Sequence, residues 1–128
     1  MPYSSSVRLE ISLIGGVGKF GMNMMAVRTN TTAVLIDAGI GFTPLRPYGI
    51  SLCIPDVNHL RSEFGSFDAL LVTHGHEDHI GSIPFIWNLL EGPVYGTRLT
   101  LAFVERRLNE RGIAIDDRLI PITTGSFV

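Results

Sequence analysis

The stretch LLVTHGHEDHIGSIP, residues 70–84, carries the strongest structural signal in the chain. An apolar run ends at Thr73, and three of the four histidines then fall, with one Glu and one Asp, into positions 74–79. Imidazole nitrogens and carboxylate oxygens are ligands of zinc and similar divalent metals. Titratable side chains grouped this densely behind a buried strand are costly without a cation. The stretch therefore predicts a metal site on a loop at the carboxyl edge of a sheet.

The spacing within the cluster favours two groups of ligands. His74 and His76 are one residue apart on an extended turn, so they can point to the same side and share one metal. Asp78 and His79 follow directly, and a loop that curls toward a helix can turn them to a second metal. Glu77 has inward-facing neighbours, so we expect it to point away from the metals. The alternative is a solvated, histidine-rich loop that binds no metal.

The segments around the cluster predict strands that alternate with helices. VRLEISLI (7–14) alternates strictly, which predicts a strand with Val7, Leu9, Ile11 and Leu13 on its buried face. Further strands are predicted at 22–28, 33–36, 68–73 and 93–96, and helices at 57–63, 83–90 and 98–111. The residues after 112 predict a strand, a turn and the start of another strand. This order is typical of an α/β fold.

Composition limits the classes of protein to consider. The chain has 128 residues, of which 45% are hydrophobic and 17% charged, as expected for one globular domain. The net charge of −2 provides no global basic field for nucleic acid. No apolar run approaches the length of a membrane span, so we expect no membrane partner. The single cysteine, Cys53, excludes an intrachain disulfide and favours a cytoplasmic location; we expect it to be an inert core thiol.

Several motifs together resemble a known family. THGHEDH followed by IGSIP resembles the His-x-His-x-Asp-His signature of the metallo-β-lactamase superfamily, an αββα sandwich with a two-metal site. The order of LIGGVGKFGMN, VLIDAGIGF, LCIPD and PVYGTRLTLAFVERRL is similar to the N-terminal part of ribonuclease J and its β-CASP relatives. The resemblance implies the N-terminal half of such a sandwich, with a mixed sheet and covering helices.

The resemblance also implies roles for individual residues. His74 and His76 would hold one divalent ion, and Asp78, which is also the catalytic candidate, and His79 would hold the other. Asp37 at the end of the VLID strand would support a ligand without touching metal, since ligating histidines usually donate their other N–H to a carboxylate or carbonyl. The expected ions are zinc, with manganese as the alternative. The expected activity is two-metal hydrolysis of RNA phosphodiesters.

The family pattern requires further ligand motifs that this chain does not contain. After His79 there is no histidine, so we expect residues 1–128 to be the N-terminal portion of a domain that continues to the remaining motifs. The chain alone should then bind metal weakly and lack nuclease activity. Without the second sheet, the inward residues of 7–14, together with Val34 and Ile36, would form an uncovered apolar face, and this face would favour a homo-oligomer or a partner segment.

Alternative functions remain at this stage. The ligand set would also serve a superfamily hydrolase that acts on thioesters or lactams, and a non-catalytic half-domain needs no reaction at all. GVGKFG (16–21) matches the dinucleotide fingerprint, and Asp37 lies 21 residues after Gly16, which makes a dinucleotide-binding module a remote alternative. That alternative requires a helix after the glycines. The backbone N–H groups of Gly16 and Gly18 are instead candidate phosphate contacts, or form a simple hairpin turn.

Overall fold

The computed structural model describes residues 6–128. Its strands are β1 (Glu10–Gly15), β2 (Met24–Arg28), β3 (Ala33–Ile36), β4 (Gly41–Phe42), β5 (Leu52–Cys53), β6 (Ala69–Leu71), β7 (Val94–Gly96) and β8 (Leu119–Pro121). Its α-helices are α1 (Val57–Phe64), α2 (Glu77–Ile80), α3 (Ile83–Ile86) and α4 (Arg98–Asn109). Short 3₁₀ helices occupy Arg46–Tyr48 and Trp87–Leu89. The predicted α/β class is confirmed.

Six strands form one mixed sheet in the order β1-β2-β3-β6-β7-β8. The β1–β2 and β2–β3 pairs are antiparallel, whereas β3–β6, β6–β7 and β7–β8 are parallel. β4 and β5 form a separate two-stranded ladder. The carboxyl ends of β3 and β6 therefore lie side by side, and the segments that follow them, beginning at Asp37 and at Val72, leave the same edge of the sheet.

One face of the sheet forms the core together with the helices. Its strand residues include Met24, Ala26, Leu35, Leu70 and Val94, all fully or almost fully buried. The helices contribute a second set of buried side chains, namely Leu60, Ile80, Ile83, Ile86, Leu101, Val104 and Leu108. The apolar positions of α4 recur every three or four residues, which places them on the side of the helix that meets the sheet.

The opposite face of the sheet is largely apolar, and we call it the uncovered face. Its members follow from the strand registers and are Ile11, Leu13, Met25, Val27, Val34, Ile36, Ala69, Leu71, Tyr95 and Ile120. None of them is fully buried, and Ile11 and Leu13 expose 58% and 62% of their surface. The predicted alternation in β1 is correct. The set containing Ile11 and Leu13 is the apolar face that a second sheet is expected to cover; within residues 6–128 it is exposed, and Glu10, Ser12 and Ile14 are the less exposed set.

Several predicted boundaries are also corrected. The strand predicted at 7–14 begins at Glu10, and the helix predicted at 83–90 divides into α3 and a 3₁₀ turn. The segment after 112 contains only one strand, β8. Cys53 is exposed rather than in the core, because β5 pairs only with the short β4. Within residues 6–128, no helix combines the length and the apolar character needed to cross a membrane.

Candidate metal centre

Two chain segments meet at the carboxyl edge of the sheet. One follows β3 and the other follows β6, and backbone hydrogen bonds join them. Ala38 N–H donates to the His79 carbonyl at 2.7 Å, and Ile40 N–H donates to the Glu77 carbonyl at 3.1 Å. Ser82 N–H returns a bond to the Ala38 carbonyl at 2.9 Å. The histidine cluster is therefore held by the neighbouring segment rather than being a free loop.

Gly39 lies at the closest approach of the two segments. A Cβ atom at this position would lie 1.6 Å from the Asp78 carbonyl oxygen, so no other residue type fits without moving backbone. The buried Ser82 hydroxyl donates to the Gly39 carbonyl at 2.6 Å. Both residues hold Asp78 and His79 in position.

The cluster spans a tight turn and the first turn of a helix. α2 begins at Glu77, directly after His76, so Asp78 and His79 are helical. The loop predicted to run from Thr73 to the helix near residue 82 is therefore shorter than expected. The His76 carbonyl accepts from the N–H groups of His79 and Ile80, which closes the helical turn. Asp78 and His79 are adjacent on this turn and can still approach one common point.

Asp37 orients the ring of His79. Asp37 is buried and its backbone is left-handed, with φ near 60°, a conformation in which Asp and Asn are enriched among non-glycine residues. Its carboxylate accepts from the backbone N–H and the hydroxyl of Thr73, both at 2.8 Å, and lies 2.8 Å from His79 Nδ1. Because the carboxylate can only accept, Nδ1 of His79 carries the proton and Nε2 has a free lone pair.

The same reasoning fixes the ring of His74. The Thr73 hydroxyl donates its proton to Asp37, so it accepts from His74 Nδ1 at 3.0 Å. Nε2 of His74 then carries the lone pair. Two of the predicted ligands are thus held in the tautomer that offers Nε2 to a metal.

The structure brings the four predicted ligand residues together. The ring centroid of His74 lies 4.6 Å from that of His76 and 4.0 Å from that of His79. Asp78 Oδ2 lies 3.5 Å from His79 Nε2. In residues 6–128, however, no three His, Cys, Asp or Glu side chains are arranged to hold an ion as they stand.

The side chain of Asn23 lies between two of these ligands. Its Nδ2 is 3.0 Å from Asp78 Oδ2 and 3.2 Å from His79 Nε2. These are the atoms that would face an ion, and an amide N–H donor now satisfies them. The donors fit a divalent cation in kind, since they are imidazole nitrogens and a carboxylate oxygen with free lone pairs.

Glu77 points away from the cluster, as predicted. Its carboxylate accepts from Nε of Arg107 on α4 at 2.8 Å, and also from Nη2. This hydrogen bond to Glu77 is the main reason that the pKa of Arg107 is raised. Arg107 also contacts Glu110, whose pKa is lowered mainly by a hydrogen bond from Arg106. The Glu77–Arg107 pair joins α2 to α4.

The glycine loop does not open a helix. After Gly21, which bridges to Gly41, the chain enters β2, so the dinucleotide-binding alternative is wrong. Gly16 and Gly18 have left-handed backbones, with φ of 80° and 69°. Gly16 lies against the Asn23 side chain, whereas a Cβ at Gly18 would meet no atom within 4 Å. Of these two glycines, only Gly16 lies against a side chain, that of Asn23, which in turn contacts the candidate ligands.

Comparison with protein families decides the wider relationship. The family model described as Metallo-beta-lactamase superfamily matches residues 17–114. The chain belongs to this superfamily. The predicted membership of this superfamily and the predicted fold are thereby confirmed. The metallo-beta-lactamase fold implies divalent metal binding.

Curated relatives of this metallo-beta-lactamase chain are named ribonuclease J. Ribonuclease J of Helicobacter pylori is 33% identical over an alignment of 135 residues, which covers 100% of this chain and 20% of the relative. Ribonuclease J2 of Bacillus subtilis is 33% identical over 112 residues, covering 88% of the chain and 20% of the relative. Ribonuclease J of Thermus thermophilus is 36% identical over 110 residues, covering 82% and 19%. The chain thus spans about a fifth of their length.

Solved structures agree on the fold. The metallo-beta-lactamase SMB-1, bound to 2-mercaptoethanesulfonate, superposes with a TM-score of 0.55 at 16% identity, over 92% of this chain and 48% of SMB-1. A diphosphatase from the PhnP family superposes with a TM-score of 0.50 at 20% identity, over 79% of this chain and 36% of the other. At these identities the likeness concerns the fold alone.

Sequence reasoning missed four residues of the site: Asn23, Gly39, Thr73 and Ser82. Thr73 directly precedes the histidine cluster and Ser82 lies three positions after it, so their proximity was available as a signal. Asn23 and Gly39 approach the cluster only through the fold, and Asn23 is separated from Asp78 by 55 positions.

Proposed function

We propose that this chain supplies half of a two-metal centre in a ribonuclease that hydrolyses RNA phosphodiesters. The observation that carries the proposal is the approach of His74, His76, Asp78 and His79 at one sheet edge, with His79 held by Asp37. The names of the curated relatives support RNA as the substrate.

The proposal assigns a role to each predicted residue. His74 and His76 would hold one ion, and Asp78 and His79 would hold the other. Asp78, the catalytic candidate, would contribute to catalysis by holding its ion. When bound, two divalent ions activate water and neutralise phosphoryl charge. Asp37 keeps the proton of His79 on Nδ1, so that Nε2 can serve as a ligand. We propose zinc as the resident metal, with manganese as the alternative.

The glycine loop has a supporting part in the proposal. Gly16 lies against Asn23, which contacts Asp78, so a phosphate near the ions would be close to this loop. The backbone N–H groups of Gly16 and Gly18 are the candidate phosphate contacts, since left-handed glycines in a loop can present N–H groups to an anion. A cytoplasmic location remains a prediction of the same proposal.

The uncovered face supports a second feature of the proposal. Apolar area of this extent usually marks an interface. The chain would then be the N-terminal portion of a larger domain, and a further segment or a second copy would cover the face. With only two ligands for each ion, the chain alone should bind metal weakly and hydrolyse no RNA, since catalytic zinc normally has three protein ligands.

A chimera tests the activity. Residues 1–128 replace the matching segment of Thermus thermophilus ribonuclease J, and RNA turnover is measured with and without chelator. We expect metal-dependent turnover that is lost in His76→Ala and kept in His59→Ala. His59 is an exposed histidine on α1, so it controls for the loss of an imidazole outside the site.

Two results would contradict the proposal. One is turnover by the chimera that persists in His76→Ala and in chelator. The other is a folded chimera, with a cooperative thermal transition, that loses turnover equally in both histidine variants. Chelator-sensitive turnover by the isolated chain would instead contradict the half-site assignment.

A further inference from the structure

The amide of Asn23 has an orientation that its contacts determine. Nδ2 lies 3.0 Å from the Asp78 backbone carbonyl oxygen and 3.0 Å from Asp78 Oδ2. Both oxygens only accept hydrogen bonds, so the NH₂ group, and not Oδ1, must face them. The third neighbour, His79 Nε2 at 3.2 Å, is also an acceptor, because Nδ1 of that ring donates to Asp37.

The three acceptors share the two amide hydrogens and the backbone N–H of Asn23. An NH₂ group has two hydrogens, whereas Asp78 Oδ2, His79 Nε2 and the Asp78 carbonyl together offer three lone-pair groups within 3.2 Å. The carbonyl also accepts from the Asn23 backbone N–H at 3.0 Å. The backbone therefore satisfies the carbonyl, and the neutral amide gives Asp78 Oδ2 and His79 Nε2 hydrogen bonds but no positive charge.

We propose that Asn23 is a positioning residue that substitutes for a cation between Asp78 and His79. Without an ion, its N–H groups keep Asp78 Oδ2 and His79 Nε2 directed at one point. With an ion held by Asp78 and His79, the amide would no longer need to donate to them, and a turn about its last side-chain bond would offer Oδ1, an oxygen of the kind that divalent ions accept. The inference rests on the proposed metal centre and adds to it a residue that none of the predicted ligand motifs includes.

Gly16 limits the space available to this amide. A Cβ at Gly16 would lie 2.5 Å from Asn23 Oδ1, so the oxygen side of the amide fits only because Gly16 has no side chain. The glycine loop thus determines where the amide sits, and the amide in turn determines how two ligands are directed.

The substitution Asn23→Asp separates this role from a purely structural one. The aspartate has the same shape but has oxygen in place of the NH₂ group. Without metal it places a carboxylate against Asp78, so the melting temperature should fall. With zinc it adds an anionic ligand, so zinc should bind about tenfold more tightly. A residue that only braces the turn would lower stability without improving zinc binding.

Thermal melts with and without zinc chloride provide the measurement. The control is Asn58→Asp, which makes the same change on an exposed position of α1. In nitrogen-resolved NMR spectra of wild type, zinc should also move the side-chain NH₂ signals of Asn23 together with the histidine ring signals.

The possible outcomes test the role of Asn23 and the metal centre separately. A larger zinc-induced rise in melting temperature for Asn23→Asp than for Asn58→Asp supports the inference. Equal rises, or histidine ring signals that move with zinc while the Asn23 NH₂ signals do not, overturn it and leave the metal centre standing. If millimolar zinc neither stabilises wild type nor moves any histidine signal, the metal centre itself fails, and the inference fails with it.

Discussion

Replacing Gly39 by alanine tests how tightly the two segments of the site are joined. The added Cβ would lie 1.6 Å from the Asp78 carbonyl oxygen and 2.1 Å from its carbon. Ordinary contact begins at 3.4 Å, and both obstructing atoms are backbone, so the segments must move apart by well over an ångström. No side-chain rotation can relieve this clash.

The cost follows from the bonds that the movement breaks. Those at risk are Ala38 N–H to the His79 carbonyl at 2.7 Å, Ile40 N–H to the Glu77 carbonyl at 3.1 Å, and the Ser82 hydroxyl to the position 39 carbonyl at 2.6 Å. Each contributes about 1 kcal/mol, and burial of the unpaired groups adds to the loss. Alanine also lowers the conformational entropy of the unfolded chain, which offsets about 0.4–1 kcal/mol of this loss. We expect a net loss of about 3 kcal/mol, or roughly 10 °C in melting temperature.

The assay is thermal and urea unfolding, with Gly41→Ala as the matched control. A Cβ at Gly41 would meet Cys53 Cβ at 3.3 Å and Met22 Cβ at 3.4 Å, which small shifts can accommodate. Both variants stiffen the unfolded chain equally, so their difference isolates the clash. If Gly39→Ala melts within about 2 °C of Gly41→Ala, the close approach does not exist in solution and the assembled site described here is wrong.

Three further predictions concern the site and the sheet. Asp37→Asn should lower the free energy of unfolding by about 1–2 kcal/mol. It should also move the proton of the His79 ring from Nδ1 to Nε2, and NMR shifts of the ring nitrogens that still indicate Nδ1–H would contradict this tautomer change. Arg107→Ala should speed amide exchange in α2 severalfold, because it removes the link to α4, whereas Arg106→Ala, whose ion pair lies at the end of α4, should leave exchange unchanged; equal effects would refute the link. Sedimentation should show self-association of the wild-type chain that weakens in Ile11→Thr, and a wild-type chain that is monomeric and melts cooperatively would show that the uncovered face needs no partner.

The sequence predicted those parts of the fold that depend on local pattern. Strict alternation in β1 identified which residues share a face, but the pattern is symmetric and cannot say which face the helices cover. Glu10, Ser12 and Ile14 are the less exposed set, and Ser12 and Ile14 line one cavity with residues of α1, which lies more than forty positions away in sequence. The short β4 and β5 were missed because two residues give no periodicity.

The site was predicted in composition but not in its supporting contacts. The density of ligand types identified the histidine cluster, whereas the role of Asp37 came from the resemblance to the family. The start of α2 inside the cluster was missed, because His76 lacks a side chain that commonly caps a helix and its carbonyl alone closes the turn. Asn23 was missed because an asparagine in a glycine-rich turn is also what an ordinary turn requires.

The parallel pairing of β3 with β6 has a consequence for the order in which the molecule folds. Asp37 contacts His79 across 42 positions, and Asn23 contacts Asp78 across 55 positions. The contacts that orient His79 and Asp78 therefore close long loops. Such contacts form late, after the entropy of loop closure has been overcome. A peptide spanning only 70–84 would contain every histidine of the cluster yet leave their tautomers and directions unset. Ordered imidazole rings would therefore indicate that the central strands have already paired, and the NMR signals of these rings would mark the last stage of folding.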